Sequence, residues 1–326
     1  MKSFAFAAVI GAASAIDSNA FGYLNHIAMF RREIATEQEF NMRMNRFNEV
    51  DAFVQKHNAS NASYTAGHNQ FSDWSFAEYK AIMGYRRAEG SRKAPTTLYT
   101  TANASSVNWV EAGAVTPVKD QGSCGSCWAF SSTGSLEGAH YVATGDLLSF
   151  SEQQLVDCAF LSYGNLACNG GLQDNAYNYL EDGHNMELES DYTYFSGTTR
   201  SKGTCAYDAT KAVNVTVTDY TAVTVNNVDQ MKAGLTQQPL AIAIEADQMC
   251  FQTYSSGVFD NDACGTNLDH AVLAVGYGSE NGQEYWLVKN SWNTTWGDEG
   301  YIKIAITGND AGICGVQSDP EFPSTN

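Results

Sequence analysis

No stretch of the 326-residue chain approaches the length of apolar sequence needed to cross a bilayer as a helix, so no membrane span is expected. No internal repeat is visible, which excludes a repeat architecture. Basic residues are scarce: 18 Lys+Arg stand against 36 Asp+Glu, a net charge of −18. The deficit is uneven. Residues 1–102 carry 11 basic and 9 acidic side chains, whereas residues 103–326 carry 7 and 27. So acidic a main region argues against nucleic acid or an anionic membrane surface as a partner. It reads as a solvated acidic surface, suited to an acidic, protease-rich compartment where many carboxylates lose their charge. The cysteines and histidines lack zinc-ligand spacing, and neither a metal nor a cofactor is expected.

What is present describes a globular secretory protein. A 44% hydrophobic, 17% charged chain of this length can bury one large core or two modest ones. Met1–Ala15 has one lysine, an apolar run from Phe4 to Ala13, and Ala13-Ser14-Ala15, the pattern of a signal peptide with its cleavage site. Eight cysteines and sequons at Asn58, Asn61, Asn103, Asn214 and Asn293 agree with that route and are glycosylation candidates. Residues 86–106 read as a linker, with Arg86, Arg87, Arg92 and Lys93 followed by a Thr/Ser/Ala-rich tract.

Beyond the linker the patterning is α+β. Residues 103 to about 213 read as mainly helical, with Ser151–Gln154 as a capping box. From about 214 to 326 the chain reads as strands, on the alternation of Val213, Val215 and Val217 and of Leu240, Ile242 and Ile244. Two packed halves with a cleft between them follow. Ala271–Tyr277 and Tyr285–Asn290 form a hairpin around Asn281-Gly282. With the loop centred near residue 280, folding it places His270 nearly opposite Asn290.

The chemistry centres on Gln121-Gly122-Ser123-Cys124-Gly125-Ser126-Cys127-Trp128-Ala129-Phe130. Phe130, Thr133, Leu136, Ala139 and Ala143 recur at helical spacing, and Gly145 marks a stop. Cys127 therefore falls in the first turn of a helix, where free N–H groups and the macrodipole favour a thiolate. A thiolate there is a nucleophile that needs a base. The rival reading, a thioredoxin-like Cys124–Cys127 redox pair, requires a βαβ context that the flanking sequence lacks.

The decapeptide resembles the active-site segment of papain-like cysteine peptidases. Leu268-Asp269-His270-Ala271 and Lys289-Asn290-Ser291-Trp292, within N-S-W-x-x-x-W-G, resemble the same family. Glu39, Arg43, Phe47, Val50, Val54 and Asn58 lie along one helix face and resemble the pro-segment helix of the cathepsin L-like subfamily, with Val50 where that pattern has Asn. Gly67-x-Asn69-x-Phe71-x-Asp73 fits the pro-segments' G-x-N-x-F-x-D motif, and Val107-Asn108-Trp109 the mature start, with Asn for Asp.

The resemblance implies a prepro-enzyme: signal peptide 1–15, inhibitory pro-segment 16–102, and a papain-like peptidase over 103–326 with a helical and a β-barrel-like subdomain. It implies a cysteine endopeptidase in which Cys127 is the nucleophile, His270 the imidazolium acid–base partner, Asn290 its orienter and Gln121 the oxyanion donor. A catalytically silent papain-fold binding protein is the alternative, disfavoured because all four residues are present. Substrate contacts would come from Gly125, the Cys168-Asn169-Gly170-Gly171 turn, Asp269, Trp292 and Trp296. The pocket for the side chain two before the scissile carbonyl would be Leu172, Gln173, Ala243, Leu268, Ala271 and Asp319, with Asp319 admitting arginine. Disulfides Cys124–Cys168, Cys158–Cys205 and Cys264–Cys314 are implied, leaving Cys250 a buried thiol. A monomer is expected, acting on protein and peptide substrates and inhibited by its own pro-segment. Its place would be a lysosomal, digestive or extracellular compartment, and acid would release the pro-segment.

Overall fold

A computed structural model describes residues 18–88, 90–98 and 104–325. The signal-peptide region 1–15, Asn103 and the 102/103 boundary lie outside the described residues.

The chain begins with two helices, α1 (Ser18–Phe30) and α2 (Glu37–Asn58), then a short strand β1 (Tyr64–Ala66) and helix α3 (Phe76–Ala81). Thr36 caps α2 by accepting the Glu39 N–H, and Ser75 and Glu78 cap α3 reciprocally. Helix α2 buries Phe47 and Val50. Val50 therefore occupies a core position, where the departure from the motif replaces a polar group with packing. At the centre of this layer lies Asp73, its carboxylate fully buried within 3.1 Å of the Arg32 guanidinium and 3.5 Å of His26 Nε2. Arg43 bridges Glu39 and Glu78.

The second half of the molecule is organised around helix α4 (Cys127–Thr144), which ends where Gly145 turns left-handed at φ 82°. Strand β2 (Val107–Asn108) precedes α4. Helices α5 (Glu152–Cys158), α6 (Gln173–Glu181) and the short α7 (Ser196–Thr199) follow. Only half of the expected capping box forms. Ser151 accepts the Gln154 N–H, but the Gln154 amide bonds the Asn185 carbonyl instead of reaching back. Much of 159–213 is irregular rather than helical. Its Gly- and Asn-rich loops are tied down by the Cys124–Cys168 and Cys158–Cys205 disulfides.

The remaining elements are strand β3 (Val217–Ala222), helix α8 (Val228–Leu235), strand β4 (Leu240–Ile244), helix α9 (Met249–Gln252) and strands β5 (Tyr254–Phe259), β6 (His270–Glu280), β7 (Gln283–Lys289), β8 (Tyr301–Ala305) and β9 (Glu321–Thr325). Val213 and Val215 do not join β3. Val215 N–H closes onto the Val213 carbonyl in a tight turn, so the strand starts at Val217. Among the described residues one nine-stranded sheet runs β1-β5-β8-β7-β6-β4-β9-β3, with β2 on β6. Strand β1 adds to the edge at β5, so the N-terminal region extends the sheet of the C-terminal half.

Two cores result. One, under the sheet, takes in Tyr64, Phe71, Tyr79, Ile82 and Met83 from the N-terminal region. The other surrounds α4–α6 and takes in Tyr85. Burying such side chains stabilises a contact by roughly 1.5–3 kcal/mol each, and here the N-terminal region supplies six of them to the two cores. No helix among the described residues is long and apolar enough to cross a membrane.

Candidate active site

Cys127 is the first residue of α4 and completely buried. Its sulfur accepts the N–H of Ala271, at 3.4 Å, beside His270 on β6. It also accepts the N–H of Gly84, at 3.2 Å, from the N-terminal region.

His270 and Asn290 meet, although not by lying opposite each other. The hairpin turns at Asn281 (φ 50°) and Gly282 (φ 84°), not at 280, and β6 carries a bulge between Ala274 and Gly276. Leu273 faces Lys289, and the two side chains reach across diagonally beyond that pair. His270 Nε2 lies 2.8 Å from Asn290 Oδ1, which also accepts the Ser291 N–H at 2.8 Å. That second bond fixes the amide, so Nε2 carries the proton and donates it to Asn290. Nδ1 is left without a hydrogen-bond partner, free to take up the thiol proton. The Trp292 ring stacks on His270 with centroids 4.5 Å apart and shuts water out of the His–Asn bond. Trp296, expected among the substrate contacts, instead stands one layer behind, edge-on to Trp292, fully buried and donating to the Gln252 carbonyl, so it backs Trp292.

The same loop orients Gln121. Its Oε1 accepts from Ser291 Oγ and Trp292 Nε1, which turns Nε2 the other way. Nε2 donates to the Cys124 carbonyl at 2.9 Å and to the Ile82 carbonyl at 2.8 Å. A peptide carbonyl from the N-terminal region thus occupies the donor expected to serve an oxyanion.

That region crosses the cleft as an extended strand. Gly84 O accepts from Gly171 N at 2.8 Å, Arg86 N donates to Gly171 O, and Tyr85 N donates to Asp269 O at 2.9 Å. Gly84 passes so close that a Cβ there would lie 1.9 Å from the Gly125 carbonyl oxygen. Gly170, at φ 111°, lets the Cys168–Gly171 turn approach: a Cβ would meet Gly84 O at 2.8 Å. Neither Gly84 nor its closeness is signalled by any motif in the sequence.

The pocket beside this strand holds Tyr85, packed in one cluster with Leu172, Ala243, Leu268 and Ala271. Gln173 is the exception. Its amide turns inward to the Ile242 carbonyl and Ser131 Oγ, so it stabilises the core between α4 and β4 instead of lining the pocket. Asp319 lies at the tip of the Tyr85 side chain and accepts from Tyr85 OH and from the side chains of Arg87 and Arg92.

Burial sets the protonation of the central pair. It pushes the Cys127 thiol up to about 11, against the lowering pull of the Ala271 and Gly84 N–H groups. It pushes His270 down to about 4, against the opposing Asn290 bond. While the N-terminal region covers the site, burial thus disfavours the charged form of each partner.

The Cys124–Cys168, Cys158–Cys205 and Cys264–Cys314 disulfides are formed. With Cys124 so bridged, Cys124–Cys127 is not a redox pair. Cys250 is buried on α9. Asn61, Asn214 and Asn293 are exposed. Asn293 is left-handed at φ 62°, a conformation that asparagine adopts more readily than most residues. Asn58 spends its amide on both the N–H and the carbonyl of Ala66. Asn108 accepts from the N–H groups of Val110 and Glu111, a turn that needs only its oxygen.

The chain matches the sequence family described as papain family cysteine protease over residues 103–324, and the cathepsin propeptide inhibitor domain over residues 23–79. It is 41% identical over 306 residues to digestive cysteine proteinase 1 of Homarus americanus, covering 90% of this chain and 92% of that one. It is 42% identical over 311 residues to cathepsin L of Sarcophaga peregrina, covering 90% and 89%. Its structure resembles that of digestive procathepsin L 3 from the Tenebrio molitor larval midgut, with a TM-score of 0.84 at 33% identity, covering 94% of this chain and 99% of that one.

Proposed function

The chain belongs to the papain family of cysteine proteases and is a cathepsin L-like zymogen, and from that premise we propose how its residues act. With its proton already on His270 Nδ1, Cys127 attacks the scissile carbonyl as the thiolate. His270 then returns that proton to the leaving amine, whose C–N bond breaks to give the acyl-enzyme. Water, deprotonated by His270, releases the acid product. Gln121 Nε2 receives the oxyanion. Asn290 keeps Nε2 protonated and the ring oriented.

The observation that carries this reading is the Ile82 carbonyl on Gln121 Nε2 with Gly84 on the Cys127 sulfur. A peptide backbone fits the cleft, held by Gly171 and Asp269 as an extended substrate would be. Residues 16–102 are then the inhibitor and 103–326 the enzyme. Removing the inhibitor rehydrates Cys127 and His270 and allows the ion pair to form.

Acid release follows from charge. Lys80 pairs with Asp247, Arg87 with Asp174 and Asp319, and Lys93 with Asp219, so basic pro-segment side chains sit on carboxylates of the enzyme. Protonating those carboxylates weakens the hold. The names of the Homarus americanus and Tenebrio molitor proteins support a digestive setting, and the signal-peptide pattern, sequons and disulfides support the secretory route, ending in a lysosome or outside the cell. Glycans at Asn61, Asn214 and Asn293 would be accommodated, the last beside the leaving-group side of the cleft.

Asp319 makes the pocket accept arginine as well as Leu or Phe. The test is the ratio of rates on peptides with Arg and with Phe two before the scissile carbonyl. Asp319→Ala lowers the Arg-to-Phe ratio if the reading holds; an unchanged ratio contradicts it.

A further inference from the structure

Arg87 of the pro-segment enters a nest of three carboxyl groups. Its Nε donates to Asp319 at 2.9 Å, its Nη1 to Asp174 at 2.6 Å, and its Nη2 faces Glu321 at 3.8 Å. Each nitrogen of one guanidinium thus has its own acid, drawn from the first turn of α6, the segment before β9 and the start of β9. All three acids are almost wholly buried. Glu321 is also unpartnered: neither of its oxygens accepts a hydrogen bond, and Arg87 Nη2 donates none. Burial pushes the Glu321 carboxyl well above its ordinary value, and the Asp319 and Asp174 charges push it further, against Arg87 and Arg92. When the pro-segment leaves, Arg87 and Arg92 leave with it, and the three acids lose the cations that face them.

We infer that Asp174 and Glu321, together with Asp319, form a guanidinium-binding cage in the mature enzyme, which selects arginine over lysine two residues before the scissile carbonyl. This rests on the reading of Asp319 as the pocket floor and extends it. A planar fork with three nitrogens can answer three acids, whereas an ammonium is a point charge that satisfies one or two. Tyr85 fills the pocket beside the cage, with the Arg87 guanidinium carbon 5.8 Å from its ring centre. A substrate arginine running down the path of Tyr85 would bring its head group to the same acids.

The test uses the acid-matured enzyme and fluorogenic dipeptides with Arg at the scissile residue and Arg, Lys, citrulline or Phe before it. Citrulline keeps the shape of arginine without its charge. Wild type is expected to show kcat/KM at least tenfold higher for Arg than for Lys, with citrulline lower still. Asp174→Asn and Glu321→Gln should each cut the Arg-to-Lys ratio several-fold. An Arg-to-Lys ratio within twofold in wild type, or one unmoved by both variants, overturns the cage. Asp319→Ala separates the two failures. If it lowers the Arg-to-Phe ratio while the other variants move nothing, only the cage falls; if it moves nothing, the pocket reading falls as well. Should a variant hydrolyse none of the four, the wild-type series alone decides.

Discussion

Gly84, in the stretch between the propeptide-domain match and the protease match, donates its backbone N–H to the sulfur of Cys127 at 3.2 Å, so that stretch lies directly on the proposed nucleophile. The contact depends on a missing side chain, because a Cβ at position 84 would sit 1.9 Å from the Gly125 carbonyl oxygen. Gly84→Ala should therefore loosen the zymogen without touching the enzyme. Its maturation at pH 5 is expected to run about tenfold faster, equivalent to ~1.4 kcal/mol of lost contact. Gel densitometry of pro and mature bands checks this, and an unchanged rate would show that the crossing tolerates a side chain.

Asp73 governs the pro-segment's own fold. Burial alone would raise its pKa, but His26, Arg32 and Arg43 hold it below the ordinary 3.8. Glu78 is likewise held below 4.5, because Arg43 and Ser75 outweigh burial. A carboxyl lowered on folding contributes stability above its unfolded value and loses it as pH falls through the folded value. The pro-segment is thus fully supported at neutral pH, begins to lose support near pH 4.5 and loses more below 3.8. Asp73→Asn removes that support at every pH. The pH midpoint of maturation should rise in the variant, and an identical midpoint would remove Asp73 from the account.

Asn290 holds His270 Nε2, and its loss leaves that donor buried and unpaired. Leaving such a donor unsatisfied costs about 1–3 kcal/mol. Asn290→Ala is expected to lower kcat roughly five- to 150-fold with little change in KM. A change confined to KM would assign Asn290 to substrate binding instead.

Gln121 has its oxygen fixed by Ser291 and Trp292, so its N–H is aimed before substrate arrives. Gln121→Ala should reduce kcat by about 10²–10³, the usual effect of removing one oxyanion donor. Full activity in that variant would place the oxyanion elsewhere.

Much of this site is legible in the chain because its chemistry is carried by short local patterns. The α4 periodicity ending at Gly145 places Cys127 at a helix start, and Asn281-Gly282 sets the hairpin that brings His270 near Asn290. The turn centre and the bulge at Ala274–Gly276 are less legible, because single-residue register shifts leave no mark on alternation. Val213 and Val215 show the same limit: their alternation is real, but a tight turn keeps them out of β3. Gln173 fits a pocket pattern yet turns inward to bond Ile242. The Arg87 contacts with Asp174, Asp319 and Glu321 join positions far apart in the chain, and nothing local announces them.

The central claim is that Cys127 is the nucleophile of a zymogen opened by acid. Hydrolysis of a fluorogenic Phe-Arg peptide by acid-treated wild type and by Cys127→Ala, with the pro-segment shown to be removed in both, tests it most directly. A Cys127→Ala proenzyme cannot mature itself, so active wild type is added in trace and then inactivated with a thiol alkylator. The account predicts robust hydrolysis by wild type and none by the variant. Equal hydrolysis in both, or none from fully processed wild type, would contradict it.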